Sequence, residues 1–378
     1  MSIVKLGDIC KFINGGAWSD KEYVNSGLPV LKISNCKNSG FQIEEISYLP
    51  ISSKEKYKKN RLFIGDIIIA TVGSHPNLIE SAAGRSCVVN SLVKGFYLNQ
   101  NAVCLRTINP EILDQRYLSY ICKERMFVHY IQNKGCGAAN QMRIAIGAIK
   151  EYEFDLPKIS LQRKIANILS TYDFLVENNQ KQIKLLEEAA QRLYKEWFVD
   201  LRFPGYEDVK IFDGVPEGWK KDTIDSRIEL LNGYVFKSSE FSDKGKYKII
   251  TIKNVKDGQF DSDNVKRMIN IPKKMPEHCK LVDGDILLSL TGNVGRVCIV
   301  HGENFLLNQR VAKLRSNNMA YTYCLFRSKD MFDNMNNLTN GVAQQNLSPI
   351  RTGKINIVFP TDALIQMFEK TVNPMLKK

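Results

Sequence analysis

SLQRKIANILSTYDFLVENNQKQIKLLEEAAQRLYKEWFVD, residues 160–200, is the stretch around which the rest of the chain is read. Apolar residues fall at Leu161, Ile165, Ile168, Tyr172, Leu175, Ile183, Leu186, Ala190, Leu193 and Trp197. Steps of three and four place them on one stripe of a helix, the seam that a coiled coil needs. Neither Gly nor Pro interrupts the stretch, and good helix formers dominate its second half. At 1.5 Å per residue, roughly 40 residues make a rod of about 60 Å, too long for an ordinary packing element. A central spacer helix is therefore expected over residues 158–202. Asn179 lies on the stripe. Either it fixes register against a partner helix at some cost in stability, or it faces solvent as a local defect.

Working outward, the flanks repeat each other in the same order. Asn14-Gly15 matches Asn232-Gly233, and GDIIIATVG from Gly65 matches GDILLSLTG from Gly284. LNQNAVCLR from Leu98 matches LNQRVAKLR from Leu307, GAANQ from Gly137 matches GVAQQ from Gly341, and FDLP closes at Pro157 as IVFP closes at Pro360. Collinear matches of this kind mark a duplicated domain, and the shrinking offset between copies means short deletions in the second. The expected layout is a first copy at 1–157, the spacer at 158–202, a connector at 203–219, a second copy at 220–360 and a distal helix at 361–378. Pro204, Gly205, Gly214, Pro216 and Gly218 stop the rod and stiffen the connector. GDIII and GDILL read as buried strands after a turn, while residues 113–132 and 321–336 look helical. Strands and helices alternate too irregularly for a doubly wound sheet, so each copy is expected to be α+β.

With 378 residues, 44% apolar and 25% charged, the chain is long enough for two folded domains and does not have the composition of a disordered one. Its 53 Lys and Arg against 40 Asp and Glu give a net charge of +13, which points to a polyanionic partner. Charge alone does not choose between nucleic acid and an acidic membrane. Nine cysteines are scattered without a C-x-x-C pair, and His278-Cys279 has no second ligand pair at zinc spacing. No apolar run has the length of a signal peptide core or membrane span. The expectation is a cytoplasmic protein with reduced thiols, no metal and no membrane partner.

Catalytic motifs are missing. The sequence has no G-x-x-x-x-G-K-[ST] loop, no H-E-x-x-H and no G-x-S-x-G. Pro204, Glu207, Asp208 and Lys210 loosely match a nuclease carboxylate–lysine set, but one such match in a Lys-rich chain carries little. What recurs is polar and paired between the copies. Thr71, Gly73 and Ser74 are set against Thr291, Gly292 and Asn293, with Arg296 following. Asn99-Gln100-Asn101 faces Asn308-Gln309-Arg310, and the loop containing Asn140 and Gln141 faces that of Gln344, Gln345 and Asn346. Asn, Gln and Arg read base edges with paired hydrogen bonds, and small residues let backbone amides approach phosphates. The same residue types also make turns. The shared Asn-Gln pairs fit scaffolding, because residues common to both copies cannot supply a difference in recognition. Divergent positions are the better candidates: Asn101 against Arg310, Asn140 against Gln344, Met142 against Asn346. The basic run from Lys54 to Arg61 could track phosphates or form a solvated helix.

Three features together resemble the DNA-specificity (S) subunit of type I restriction–modification systems. They are the Gly-Asp strand runs with their later Gly-x-x-x-Gln loops, P-x-x-x-L-Q-x-x-I-A-x-I-L at 157–169, and LYKEWFVDLRFPGYE at 193–207 followed by VPEGW at 215–219. The resemblance covers essentially the full length. It implies two target-recognition domains, each contacting half of a split site in double-stranded DNA, separated by a long helix that forms an antiparallel coiled coil with a C-terminal helix. It implies a non-catalytic chain whose helices dock modification (methyltransferase) subunits, with a restriction/translocase subunit joining for cleavage. S-adenosylmethionine, ATP and Mg would then belong to those partners. Family members have a second helix about as long as the first. Only residues 362–378 remain here, interrupted by Asn373-Pro374, so a shortened gene or a second specificity chain supplying the missing helix is expected. The competing readings are the specificity chain of a type IIB-like enzyme and a protein-binding coiled-coil adaptor.

Overall fold

The computed structural model of the chain describes residues 2–37, 40–43, 45–74, 82–137, 142–263, 265–338 and 346–377. It comprises two compact units, Met1–Val176 and Glu177–Lys378. Both mix helices and strands, and both follow one plan, as the repeated motifs require.

Each copy closes on itself through a strand pair joining its two ends. Ser2–Lys5 runs antiparallel to Glu153–Leu156, as Lys220–Thr223 does to Asn356–Phe359. Next comes a four-stranded antiparallel sheet, ordered Cys10–Asn14, Ala102–Thr107, Ile67–Ala70 and Ser86–Val88. In the second copy Glu229–Asn232, Val311–Arg315, Ile286–Ser289 and Val297–Ile299 take the same order. The Gly-Asp strands are buried at every position, because their alternate residues serve two cores. Ile67 and Ile69 pack with the helices, whereas Ile68 packs with Leu31 and Leu98 of a second small sheet. Ile286 and Leu288 likewise join the helical core, and Leu287 joins Ile249 and Leu306.

The Gly-Asp pair has a physical task. Gly65 and Gly284 sit at φ +86° and +88°, a region that favours glycine, and their N–H groups donate to Val89 O and Val300 O at 2.9 Å. The carboxylates that follow cap the same turn: Asp66 accepts from Phe63 N–H at 2.8 Å and Asp285 from Val282 N–H at 2.9 Å. Each also holds a cation from the neighbouring strand, but at different places. Asp66 binds Arg106 Nε at 2.6 Å, whereas Asp285 binds Lys313 Nζ at 2.7 Å, two residues earlier in strand register.

The expected helix over 113–132 is two helices, Gln115–Lys123 and Arg125–Asn133, with Glu124 extended between them. The break turns both apolar faces into one core, with Leu118 and Cys122 beside Phe127 and Ile131. The second copy matches with Met319–Phe326 and Lys329–Asn337.

The spacer forms a 36-residue helix, Ile159–Tyr194, continued by one π-helical turn at Lys195–Val199. Its first turns are latched to the first unit by Gln162, which is fully buried. Gln162 accepts from Asp114 N–H at 3.0 Å and donates to Ile112 O and Pro157 O at 2.9 and 2.8 Å. Leu201 at φ +57° and Pro204 then end the helical path. Within the second unit, the helix end packs on Asp362–Leu376. Phe368 lies 5.7 Å from Trp197 and 5.0 Å from Phe198, while Met375 and Leu376 share a small cavity with Ile183 and Leu186, so the two helices run antiparallel. Pro374 does not interrupt the distal helix as expected. It falls in the last turn, where it gives up the single N–H bond it would have made four residues back and has only two helical residues after it, and the helix continues to Leu376. Ala190 and Trp197 of the apolar stripe are buried, as is Tyr194 beside it, but Ile168, Tyr172, Leu175 and Ile183 are exposed, as is Asn179. In the connector, Ile211–Phe212 pairs with Val215–Pro216 around Asp213 and Gly214, both at positive φ, the geometry of a tight hairpin turn. Among the described residues no helix is long and apolar enough to cross a membrane.

Candidate nucleic-acid interface

Three segments in each copy meet where the Gly-Asp strand ends. In the first copy Thr71 N–H donates to Asn101 O at 2.8 Å, and Thr71 O accepts from Ile144 N–H at 2.8 Å. In the second, Leu290 N–H donates to Arg310 O at 3.1 Å, and Leu290 O accepts from Leu347 N–H at 2.7 Å. One residue later, Val72 pairs with Arg143, as Thr291 pairs with Asn346. The sequence-predicted sets, far apart along the chain, thus share one edge. In the second unit Thr291, Gln309, Arg310 and Asn346 line a cleft of about 250 Å³, and Thr291 Oγ1 donates to Asn346 Oδ1 at 3.0 Å.

This geometry corrects the pairing taken from sequence. Thr71 corresponds to Leu290, not to Thr291, whose counterpart is Val72. Asn346 corresponds to Arg143, not to Met142. Met142 is a core residue, 4% exposed, against which a Cβ on Gly135 would collide. Arg143, which the sequence reading missed, is exposed. Counting back from Pro157 and Pro360, instead of forward from Gly137 and Gly341, would have aligned it with Asn346. The corrected pairs are Asn101 with Arg310 and Arg143 with Asn346. Each unit therefore presents one Arg and one Asn, with the two types interchanged between equivalent positions.

Asn101, Arg310, Asn346 and Asn293 are exposed, Thr71, Ser74 and Arg296 are half-buried, and Thr291 is buried. Asn101 adopts φ +74°, a conformation Asn tolerates better than most residues. With its amide oxygen turned toward Arg296, Asn293 accepts from that guanidinium at 3.2 and 3.3 Å. Asn140, Gln141, Gln344 and Gln345 lie outside the described residues. The asparagines of the shared Asn-Gln pairs are positioned as scaffold, whereas Gln100 and Gln309 are exposed. Gly16 and Tyr234 bridge to Asn99 and Asn308, and a Cβ on Gly15 or Gly233 would strike those Asn carbonyls. Aromatics near the basic residues are also packing groups. Trp18 and Tyr57 are buried edge to face at 4.9 Å, and Phe236 is in a core.

Amide and guanidinium side chains standing on rigid backbone supply paired donors and acceptors, the chemistry of base-edge readout. The family model for the type I restriction modification DNA specificity domain matches residues 1–188 and again 216–366. The chain belongs to this family.

Among the relatives of this specificity-domain chain, the type I restriction enzyme MjaIX specificity subunit of Methanocaldococcus jannaschii is 24% identical over 69% of the chain and 62% of that protein. The MjaVIII specificity subunit of the same organism is 26% identical over 76% of the chain and 63% of that protein. The matched stretch thus spans less than two thirds of each of these relatives. A crystal structure of the S subunit of a type I restriction–modification system from M. genitalium superposes with a TM-score of 0.58 at 16% identity, covering 99% of this chain and 88% of that one. That likeness establishes a shared fold.

Proposed function

We propose that the chain is the non-catalytic DNA-reading and scaffolding subunit of a type I restriction–modification complex. Each unit reads one half of an asymmetric, bipartite site in double-stranded DNA. The interchange of Arg and Asn at positions held by the same backbone hydrogen bonds carries this reading. Such a frame offers the same geometry twice while presenting different donors and acceptors, which gives two unlike half-sites. Arg favours guanine and Asn favours adenine in the major groove. The exposed apolar residues Ile168, Tyr172, Leu175 and Ile183 support docking of modification subunits on the long helix. S-adenosylmethionine, ATP and Mg are assigned to the modification and restriction/translocase subunits.

The test is methylome sequencing of cells carrying this chain with its modification subunits. Wild type should methylate a split motif with a fixed gap. Arg310→Ala should relax recognition in the second half-site alone, by about 1–3 kcal/mol at one base pair. Methylation of a continuous palindrome, or equal loss on every sequence, would overturn the reading.

A further inference from the structure

The duplicated frame also exposes a difference between the units that lies outside the base-edge cluster. Along the strand Cys10–Asn14 the first unit has an open groove of about 890 Å³. Lys11, Lys58, Lys59, Lys150 and Arg106 line it. Arg106 is committed to Asp66 and Lys58 is 3.3 Å from Glu55, but Lys11, Lys59 and Lys150 are exposed and form no ion pair among the described residues. The ammonium of Lys150 lies 5.5 Å from the Phe12 ring, on the groove wall.

Register fixes what stands at the same places in the second unit. Lys11 is opposite Arg106 as Glu229 is opposite Arg315, so Glu229 replaces Lys11. The three-residue turn Lys58–Asn60 corresponds to Glu277–Cys279, so Glu277 and His278 replace Lys58 and Lys59. Tyr152 O accepts from Leu6 N–H as Ile355 O accepts from Ile224 N–H, and counting back two residues sets Gly353 at the place of Lys150. Of the five positions that carry cations in one copy, only one has a cation in the other, an arginine tied to Glu229. Because both copies share the fold, folding does not require this charge. That leaves it available to a ligand of the first unit alone.

We infer that this groove binds the phosphodiester backbone of DNA flanking the first half-site, a contact the second unit lacks. The groove ends at Asn14, whose carbonyl accepts from Asn60 Nδ2 at 2.7 Å. The next residue, Gly15, donates its N–H to Ala102 O at 2.9 Å, directly beside Asn101. A strand whose bases meet Asn101 and Arg143 would therefore run its backbone onto Lys59 and Lys11. Hydrated, flexible ammonium groups suit a row of phosphates read without regard to sequence.

The inference rests on the chain being a DNA reader, and the experiment separates the two. The K11Q/K59Q/K150Q variant is assembled with its modification subunits, and its affinity for duplexes with and without the cognate site is measured across a salt series. Three lost phosphate contacts at about 0.9 counterions each should lower the slope of log K against log salt by about 3, on both duplexes alike. The methylated sequence should not change. Exposed lysines are dispensable for folding, and an unchanged melting curve verifies that. Retained site preference with an unchanged salt slope would overturn the groove assignment alone, whether or not modification-subunit binding falls; if it falls, the groove is a face for an acidic protein. A wild-type complex with no preference for any site would overturn the reading of the chain itself.

Discussion

Asp66→Ala is expected to cost the first unit about 3 kcal/mol. The side chain is 5% exposed and accepts three hydrogen bonds, from Phe63 N–H at 2.8 Å and from Arg106 Nε and Nη2 at 2.6 and 2.7 Å. Bonds to a charged group contribute roughly 1.5–3 kcal/mol each, and breaking a fully buried pair costs about 3–5 kcal/mol. The Arg106 side chain is 27% exposed and keeps a 3.0 Å bond to Arg61 O, so the stranded guanidinium is partly resolvated and the loss falls at the low end. For a unit of this size, about 3 kcal/mol lowers the melting temperature by roughly 6–12 °C. Circular dichroism of the full chain gives the melting shift, and hydrogen exchange localises it to residues before Val176. A double-mutant cycle with Arg106→Ala isolates the pair. If Asp66→Ala costs under about 1 kcal/mol and the coupling vanishes, the contact behaves as a surface ion pair and the role given to the Gly-Asp turn is wrong.

Gly15→Ala and Gly233→Ala place a Cβ 1.8 Å from Asn99 O and 2.1 Å from Asn308 O, so each should destabilise its own unit by about 2 kcal/mol in urea unfolding. Gly147→Ala, in a helix with open space around it, is the control and should stabilise by about 0.5–1 kcal/mol. Glu369, buried beneath Tyr321 N–H at 2.8 Å, has its carboxyl held above the ordinary range by desolvation. A raised folded-state pKa means its stabilising contribution is present in acid and is lost as pH rises through that value. Glu369→Gln keeps the acceptor without the charge, so its melting temperature should exceed wild type at neutral pH and the gap should close near pH 4. A gap that does not vary with pH would refute the ionisation argument.

Local signals carried much of the architecture. The unbroken 160–200 pattern announced the long helix, and the Gly-Asp runs announced buried strands because two cores demand apolar residues on both faces. The duplication was legible because Gly15, Gly65 and their counterparts meet steric demands that only glycine satisfies cheaply. Other features depend on partners distant in sequence. Nothing local distinguishes one helix over 113–132 from two, since the break at Glu124 is set by where the sheet lies. Gln162 looked like one polar residue in an amphipathic run, and its three backbone partners became visible only in three dimensions. At the interface Asn101 and Arg310 were matched correctly, but Thr71 was set against the like residue Thr291 instead of its register partner, and Met142 against Asn346 because a deletion between the copies falls within the preceding loop. Arg143 was hidden by that slip.

The clamps at the end of each Gly-Asp strand are made by peptide groups: those of Thr71 with Asn101 and Ile144, and those of Leu290 with Arg310 and Leu347. Main-chain anchoring leaves the side chains of Arg143 and Arg310 without structural duties in the clamp itself, whereas Asn101 suits its φ of +74° and Asn346 accepts from Thr291 Oγ1. If the chain reads DNA as proposed, point substitution at Arg143 and Arg310 would change its address while its thermal tolerance stays nearly level. On that reading, new targets are reached without rebuilding the chassis that presents them.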